Sequence, residues 1–285
     1  MKLPAFVPLA TLLSLNAAAQ VNYSPEYFGP NANPVPEFGN ATIPGSIALE
    51  GSANYFFGFG DRTENLKLTA EVPLMPSFVS LKVWGFFLEK YDVARAVNRF
   101  RGMRPEDLSG WIGVGDVYVQ VRVLLAKERR FVPAVILNST LKTATPNENG
   151  FQARRYFDTP GYFFDLEVGK SFMVANSFLS EIRMVGNVGF LCWETTGSRQ
   201  NDATMYGGKV ILSNRLFDFE NTLSGYSGWM NNGDSPLVYA ALLRFRQKNA
   251  TCFMVYKYGL YDYPYHLLGL GILISIKKLT PRYKK

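Results

Sequence analysis

Asp165 and Glu167 stand two residues apart in "YFFDLEVGK", and Arg244 and Arg246 repeat that spacing with opposite sign in "LVYAALLRFRQ". Side chains alternate across a β-strand, so each pair shares one face. Two carboxylates on one face could serve glycoside hydrolysis. Met by guanidinium groups from a neighbouring strand, they become ion pairs instead, or a ring of charge that selects solutes in a pore. Other chemistry is poorly provided for. The single histidine, His266, lies in "YDYPYHLLG" among Tyr263 and Tyr265, with no serine two residues on. A metal site or a Ser/His hydrolase would rest on that one imidazole. "GFGD" (58–61) reads as a hairpin and not as a phosphate loop, because no helix follows it. No catalytic residue, metal or cofactor is implied. Cys192 and Cys252 alternate in step with Phe190 and Met254, as small residues on an apolar row; an oxidising compartment would also let them pair.

The elements that carry these residues show a period of two. Val117, Val119, Val121 and Val123 form one row, and Tyr118, Gln120 and Arg122 form the other. In a soluble sheet the valines would face a core and the polar row would face water. In an outer-membrane barrel the valines face lipid and the polar row faces the lumen. Composition favours the barrel: 47% hydrophobic and 15% aromatic, but only 19% charged, below the usual quarter of a soluble domain. The polar rows hold too few Lys and Glu for a fully solvated surface.

Residues 1–19 read as a signal peptide. Lys2 supplies the positive end, "LPAFVPLATLLSL" the apolar stretch and "NAAAQ" the cleavage site. Loss of Lys2 lowers the net charge of +7 by one. The remaining basic residues are dispersed, with no recognition motif for nucleic acid. Residues 20–45, including "VNYSPEYFGPNANPVPEFGNATIPG", read as a Pro/Gly-rich irregular lead-in. No apolar run after the signal is long enough for a spanning helix; "HLLGLGILISI" is too short. A membrane location therefore requires a closed barrel.

Residues 46–285 divide into about twelve alternating segments. The longest connections, "YDVARAVNRFRGMRPEDLSG" and "TATPNENGFQARRYFDTPG", are the third and fifth, both on the parity that faces outward. "PLMPS", "KERR", "NRLFD" and "QKNA" are short and fall on the periplasmic parity; the sixth, "SFMVANSFLS", is long for a periplasmic turn. The apolar rows assigned to lipid include Leu49, Tyr55 and Phe57; Val79, Leu81 and Val83; Val135, Leu137 and Leu141; and Leu268, Leu270, Ile272, Ile274 and Ile276. The opposite rows carry Glu50, Lys67, Glu71, Lys82, Asp116, Arg122, Lys142, Asp165, Glu167, Arg183, Lys209, Glu220, Arg244, Arg246, Lys257 and Lys277. Lys or Arg at mid-bilayer on the lipid face costs about 2–4 kcal/mol, which puts these residues inside. Tyr91, Trp111, Tyr162, Trp193, Trp229 and Tyr261 suit aromatic girdles. Tyr283, in the basic tail "KKLTPRYKK", stands where many such barrels finish on an aromatic residue. Arg95, Arg99, Arg101 and Arg104, with Asp92, Glu106 and Asp107, either fold into the lumen or form a solvated loop tip.

The stretch "GVGDVYVQVRVLLAKERRFVPAVILNSTLKTATP", continued by "FDTPGYFFDLEVGKSF" and "VGNVGFLCWE", resembles the MetA-like, phenol-degradation-associated outer-membrane β-barrel family over about residues 110–195. The resemblance implies a narrow channel for aromatic or other hydrophobic small molecules. The reading is thus all-β: an up-and-down antiparallel transmembrane β-barrel of about twelve strands in the cell outer membrane. Its partners are outer-membrane lipid and a small-molecule solute, without nucleic acid, as a monomer or small homo-oligomer. The expected pore-lining residues are Lys82, Asp116, Gln120, Arg122, Asp165, Glu167, Arg183, Lys209, Arg244 and Arg246. The expected function is passive uptake of small molecules. The alternatives are a plugged structural or surface-interaction barrel and, less favoured, a lipid-modifying enzyme.

Overall fold

The computed structural model describes residues 24–175, 178–193, 201–229, 231, 233–247 and 250–277. Twelve strands follow in order: β1 Ile47–Gly58, β2 Asp61–Met75, β3 Val79–Val93, β4 Ser109–Ala126, β5 Ala134–Lys142, β6 Gly161–Met173, β7 Glu181–Trp193, β8 Asn201–Ser213, β9 Phe217–Gly228, β10 Leu237–Arg246, β11 Ala250–Tyr261 and β12 His266–Ile276. Two short helices, α1 Arg95–Phe100 and α2 Glu148–Gln152, sit in the third and fifth connections. Each strand pairs antiparallel with its neighbours in sequence, and β1 pairs with β12 from Ile47↔Ile276 to Phe57↔His266. That last ladder closes the sheet and leaves no edge, so strand N–H and C=O groups are satisfied within the wall.

Alternation then decides what each face meets. Leu49, Leu68, Val121, Leu141, Val188, Leu268, Leu270, Ile272 and Ile274 project outward and are exposed, while Asn65, Gln120, Arg122, Asn138, Asp165, Glu167, Asn187 and Lys209 project inward and are buried. An apolar belt around a polar interior fits hydrocarbon and not water. The chain is an outer-membrane-type barrel, and its belt places it in that membrane. No helix among the described residues is long and apolar enough to cross. Turn chemistry follows the sequence at the first hairpin, where Phe59 and Gly60 both adopt positive φ, 50° and 71°, between the paired Gly58 and Asp61. That is the two-residue turn whose twist matches the flanking strands.

Several expected placements are corrected. Trp193 and Tyr91 do not join an aromatic girdle: they are 3% and 5% exposed and face inward. The period of two that sets Arg183 and Asn187 on the inner row of β7 carries Trp193 there as well. Trp111, Trp229 and Tyr261 do project outward. Lys277 lies past the end of β12 rather than on a strand row, and is exposed. The sixth connection shortens to 174–180 because Ser171–Met173 pair with β7. The two cysteines are not joined in a disulfide; Cys192 is buried and Cys252 exposed. Residues 1–19 and Tyr283 lie outside the described residues.

Leu270 stands 65% exposed near the middle of β12. Leu270→Arg is expected to lower stability by about 2–4 kcal/mol and Leu270→Phe to leave it nearly unchanged, as read from denaturant titration of the protein folded in lipid vesicles.

Candidate functional site

The site is the lumen, and its main occupant is the chain's own lead-in. Residues 24–46 start beside the long outer loops and run down through the barrel to the start of β1. Pro25, Pro30, Pro34, Pro36 and Pro44 deny this segment both helix and strand pairing. Its backbone groups therefore find partners on inward strand side chains. The Glu167 carboxylate on β6 accepts the N–H groups of Gly39 and Ala41, at 2.6 and 2.9 Å. Lys209 on β8 donates to the carbonyls of Phe38 and Gly39 and to Asn40 Oδ1 at 2.9, 3.2 and 2.9 Å. Arg183 on β7 donates to the carbonyls of Asn40 and Ala41. Two inward glycines make room for it: a Cβ on Gly169 would lie 2.6 Å from Ala41 Cβ, and one on Gly207 2.4 Å from the Phe38 ring.

The outer end is closed by a fully buried polar cluster. Arg101, after α1, and Arg155, after α2, both bind Asp61 Oδ2, at 2.6 and 2.7 Å. Arg155 also binds Glu89 at 2.8 Å and donates to Thr63. Glu89 accepts from Tyr156 and Asn31, both at 2.7 Å. Tyr265 accepts from Arg101 and donates to the carbonyl of Phe28. One cluster thus ties two outer loops, three strand ends and the lead-in together. Burial works against the Arg155 charge, but the Asp61 and Glu89 carboxylates more than offset it and raise its pKa. Burial and the Glu89 charge both push the Tyr156 hydroxyl up, so it stays a donor. The third connection therefore divides: Arg101 enters the barrel end, while Arg95, Arg99 and Arg104 remain exposed.

Below this cap a cavity of about 470 Å³ remains between the lead-in and the strands, chiefly β9–β12 and β1–β3. Its upper wall is aromatic, with Phe56, Trp84, Phe86, Tyr118, Phe163 and Trp193. Trp84 stacks on Tyr118 with ring centroids 5.0 Å apart and planes within 5°. The lower wall is charged: Arg122 bridges Glu71 and Glu167 at 2.9 and 3.1 Å, and Arg244 binds Glu220 at 2.9 Å and Glu50 at 3.5 Å.

The expected pore-lining residues separate into three groups. Lys82, Arg122, Lys209 and Arg244 line the cavity. Asp116, Gln120, Asp165, Glu167 and Arg183 lie buried on the inner face, committed to other groups: Asp116 to Lys142 at 2.9 Å, Gln120 to Thr140, Asp165 to Asn138 and Asn187, Glu167 and Arg183 to the lead-in. Arg246 is at the strand end, partly exposed and paired with Asp218. Asp165 and Glu167 share one face and are both bound by Asn138, but Arg244 lies across the lumen with Glu50 and Glu220. His266 stacks on Phe57 at 4.9 Å, and its Nδ1 lies 2.9 Å from the Tyr256 hydroxyl, away from the cavity. No metal-binding cluster of His, Cys, Asp and Glu occurs among the described residues. Sequence reasoning missed the aromatic upper wall and Arg155; the phase of the inward rows carried the signal for Phe163, and nothing local carried one for Arg155.

No family model and no curated protein matches the chain. Solved structures do. The chain is similar to "NanC porin structure in rhombohedral crystal form", at 11% identity and a TM-score of 0.53, covering 80% of this chain and 100% of that one. It is also similar to the COG4313 outer membrane channel from Pseudomonas putida F1, at 10% identity and a TM-score of 0.57, covering 85% and 100%. At such identities the likeness concerns the fold: a closed barrel of the outer-membrane kind.

Truncating one partner of a buried ion pair leaves an uncompensated charge. Arg155→Leu is expected to cost about 3–5 kcal/mol by leaving the buried Glu89 without a counter-charge and Asp61 with Arg101 alone, whereas Arg246→Leu, at a half-exposed pair, should cost under about 1 kcal/mol. Denaturant midpoints of the two variants in detergent would check the difference.

Proposed function

We propose that the chain is an outer-membrane channel for passive uptake of small molecules, aromatic or hydrophobic ones foremost, of the kind implied by its MetA-like resemblance. The observation that carries this reading is the cavity of about 470 Å³ beside a lead-in that is bonded to the wall mainly through side chains and not through strand pairing. Such a segment can shift without unravelling the sheet. Lys82, Arg122, Lys209 and Arg244 then set which solutes pass, and Glu167, Lys209 and Arg183 set how firmly the lead-in stays seated. The aromatic upper wall suits solutes with planar rings. Lipid is the surrounding partner, and the chain works as a monomer or small homo-oligomer, with no catalytic step.

One observation favours the plugged scaffold as a second reading. The cap built by Arg101, Arg155, Asp61 and Glu89 is fully buried and joins the lead-in to the outer loops. Planar-bilayer conductance separates the two readings. The channel predicts ohmic steps from the full chain and steps severalfold larger when Glu167→Ala and Lys209→Ala loosen the lead-in. Steps from the loosened variant alone would favour the plugged scaffold, and silence from both, with the barrel folded, would overturn the channel.

A further inference from the structure

The charges of the cavity are unevenly matched. Six cationic side chains line it, Lys67, Lys82, Arg122, Lys209, Arg244 and Lys257, against four carboxylates, Glu37, Glu50, Glu71 and Glu220. Arg122, Arg244 and Lys209 have carboxylates of their own on the strands, Lys209 meeting Glu220 at 3.6 Å. On the side formed by β2, β3 and β11, three lysines meet two carboxylates, Glu37 and Glu71, and Glu71, across the β2–β3 pair from Lys82, is bound by Arg122. Lys67 and Lys257 both grip Glu37 of the lead-in, at 2.6 and 2.5 Å. Lys82 makes no ion pair among the described residues; its Nζ sits 5.1 Å over the Trp84 ring. Trp84 is only partly buried and begins the aromatic wall that continues through Tyr118, Phe86, Phe163 and Trp193.

We propose that this corner is a binding site for a small molecule that joins an aromatic ring to a carboxylate. The carboxylate sits on Lys82 and competes with Glu37 for Lys67 and Lys257, and the ring packs against Trp84 and Phe86. A charge-assisted hydrogen bond to a carboxylate is stronger than a cation–π contact at a half-open site, so Lys82 gains by turning from the Trp84 ring to such a ligand. The lead-in already presents the same chemistry to the lumen. Glu37 offers the carboxylate to Lys67 and Lys257, and the adjacent Phe38 offers a ring, with Lys209 Nζ 4.9 Å from its centroid. An aromatic acid entering the cavity replaces these contacts in kind, which weakens the hold on the lead-in at the moment a solute arrives.

The inference rests on the channel reading for its account of why a solute should enter, and its test does not depend on transport. The full chain, folded in detergent micelles, is titrated calorimetrically with benzoate, with benzyl alcohol as the uncharged ring and with acetate as the ringless carboxylate. Benzoate should bind at least tenfold more tightly than either. Lys82→Met should weaken benzoate about tenfold, the loss of about 1.4 kcal/mol, and leave benzyl alcohol unchanged; Lys82→Arg should retain most of the affinity. Circular dichroism checks that the variants are folded. Benzoate binding no better than benzyl alcohol, or unaffected by Lys82→Met in folded protein, would overturn the site. A chain that binds benzoate yet never conducts would overturn the channel and keep the site.

Discussion

Hydrocarbon offers no hydrogen bonds, and that single fact governs this chain. Every strand N–H and C=O inside the membrane must find a partner in the wall. The β1–β12 ladder meets this demand, because without the pairing of Ile47–Phe57 with His266–Ile276 two rows of backbone groups would face lipid. Closure also divides the side chains. Valine, leucine and isoleucine can stand outside at no cost, while Arg122, Glu167 and Lys209 are forced into an interior where each needs a counter-charge or a backbone partner.

The lead-in answers part of that need. A lumen crowded with charge is costly unless its groups are paired, and the proline-rich segment brings carbonyls to Lys209 and Arg183 and N–H groups to Glu167. Wall and plug are therefore mutually dependent: the segment has no regular structure to satisfy its own backbone, and Glu167, Arg183 and Lys209 complete on it the bonding they begin with Arg122, Glu128 and Glu220. The outer cap works alike at higher density. Asp61 receives two guanidinium groups and Glu89 receives a guanidinium, a phenol and an amide, so the buried charges are met from loops, strands and lead-in together. What these contacts leave unfilled is an off-centre cavity, aromatic above and charged below, in which Lys82, without an ion pair among the described residues, lies over Trp84 beside Tyr118.

The barrel was legible in the residues. Strand alternation beside lipid yields one wholly apolar row, as from Val117 to Val123, and the segment "EIRMVGNVGFLCW" coincides with β7 from Glu181 to Trp193. The long third and fifth connections, read as outward-facing, carry α1 and α2 at one end of the barrel. Charge on the inward rows could be read because the membrane forbids it elsewhere. Aromatic residues near strand ends were less readable, since Trp suits both an interface and a lumen; only the phase of its strand distinguishes Trp193 from Trp229.

Sequence by itself thus determined that about twelve strands follow in up-and-down order and which side of each meets lipid, because these follow from a period of two and from loop length. Tertiary structure alone decided what the lumen holds. The position of residues 24–46, the meeting of Arg101 with Arg155 over Asp61, and the surplus of lysine around Glu37 join residues tens to hundreds of positions apart. Such contacts depend on the closed circumference and the register of all twelve strands, and no local pattern encodes them. Gly169 and Gly207, left bare where the lead-in presses on the wall, are the faint local trace of that arrangement.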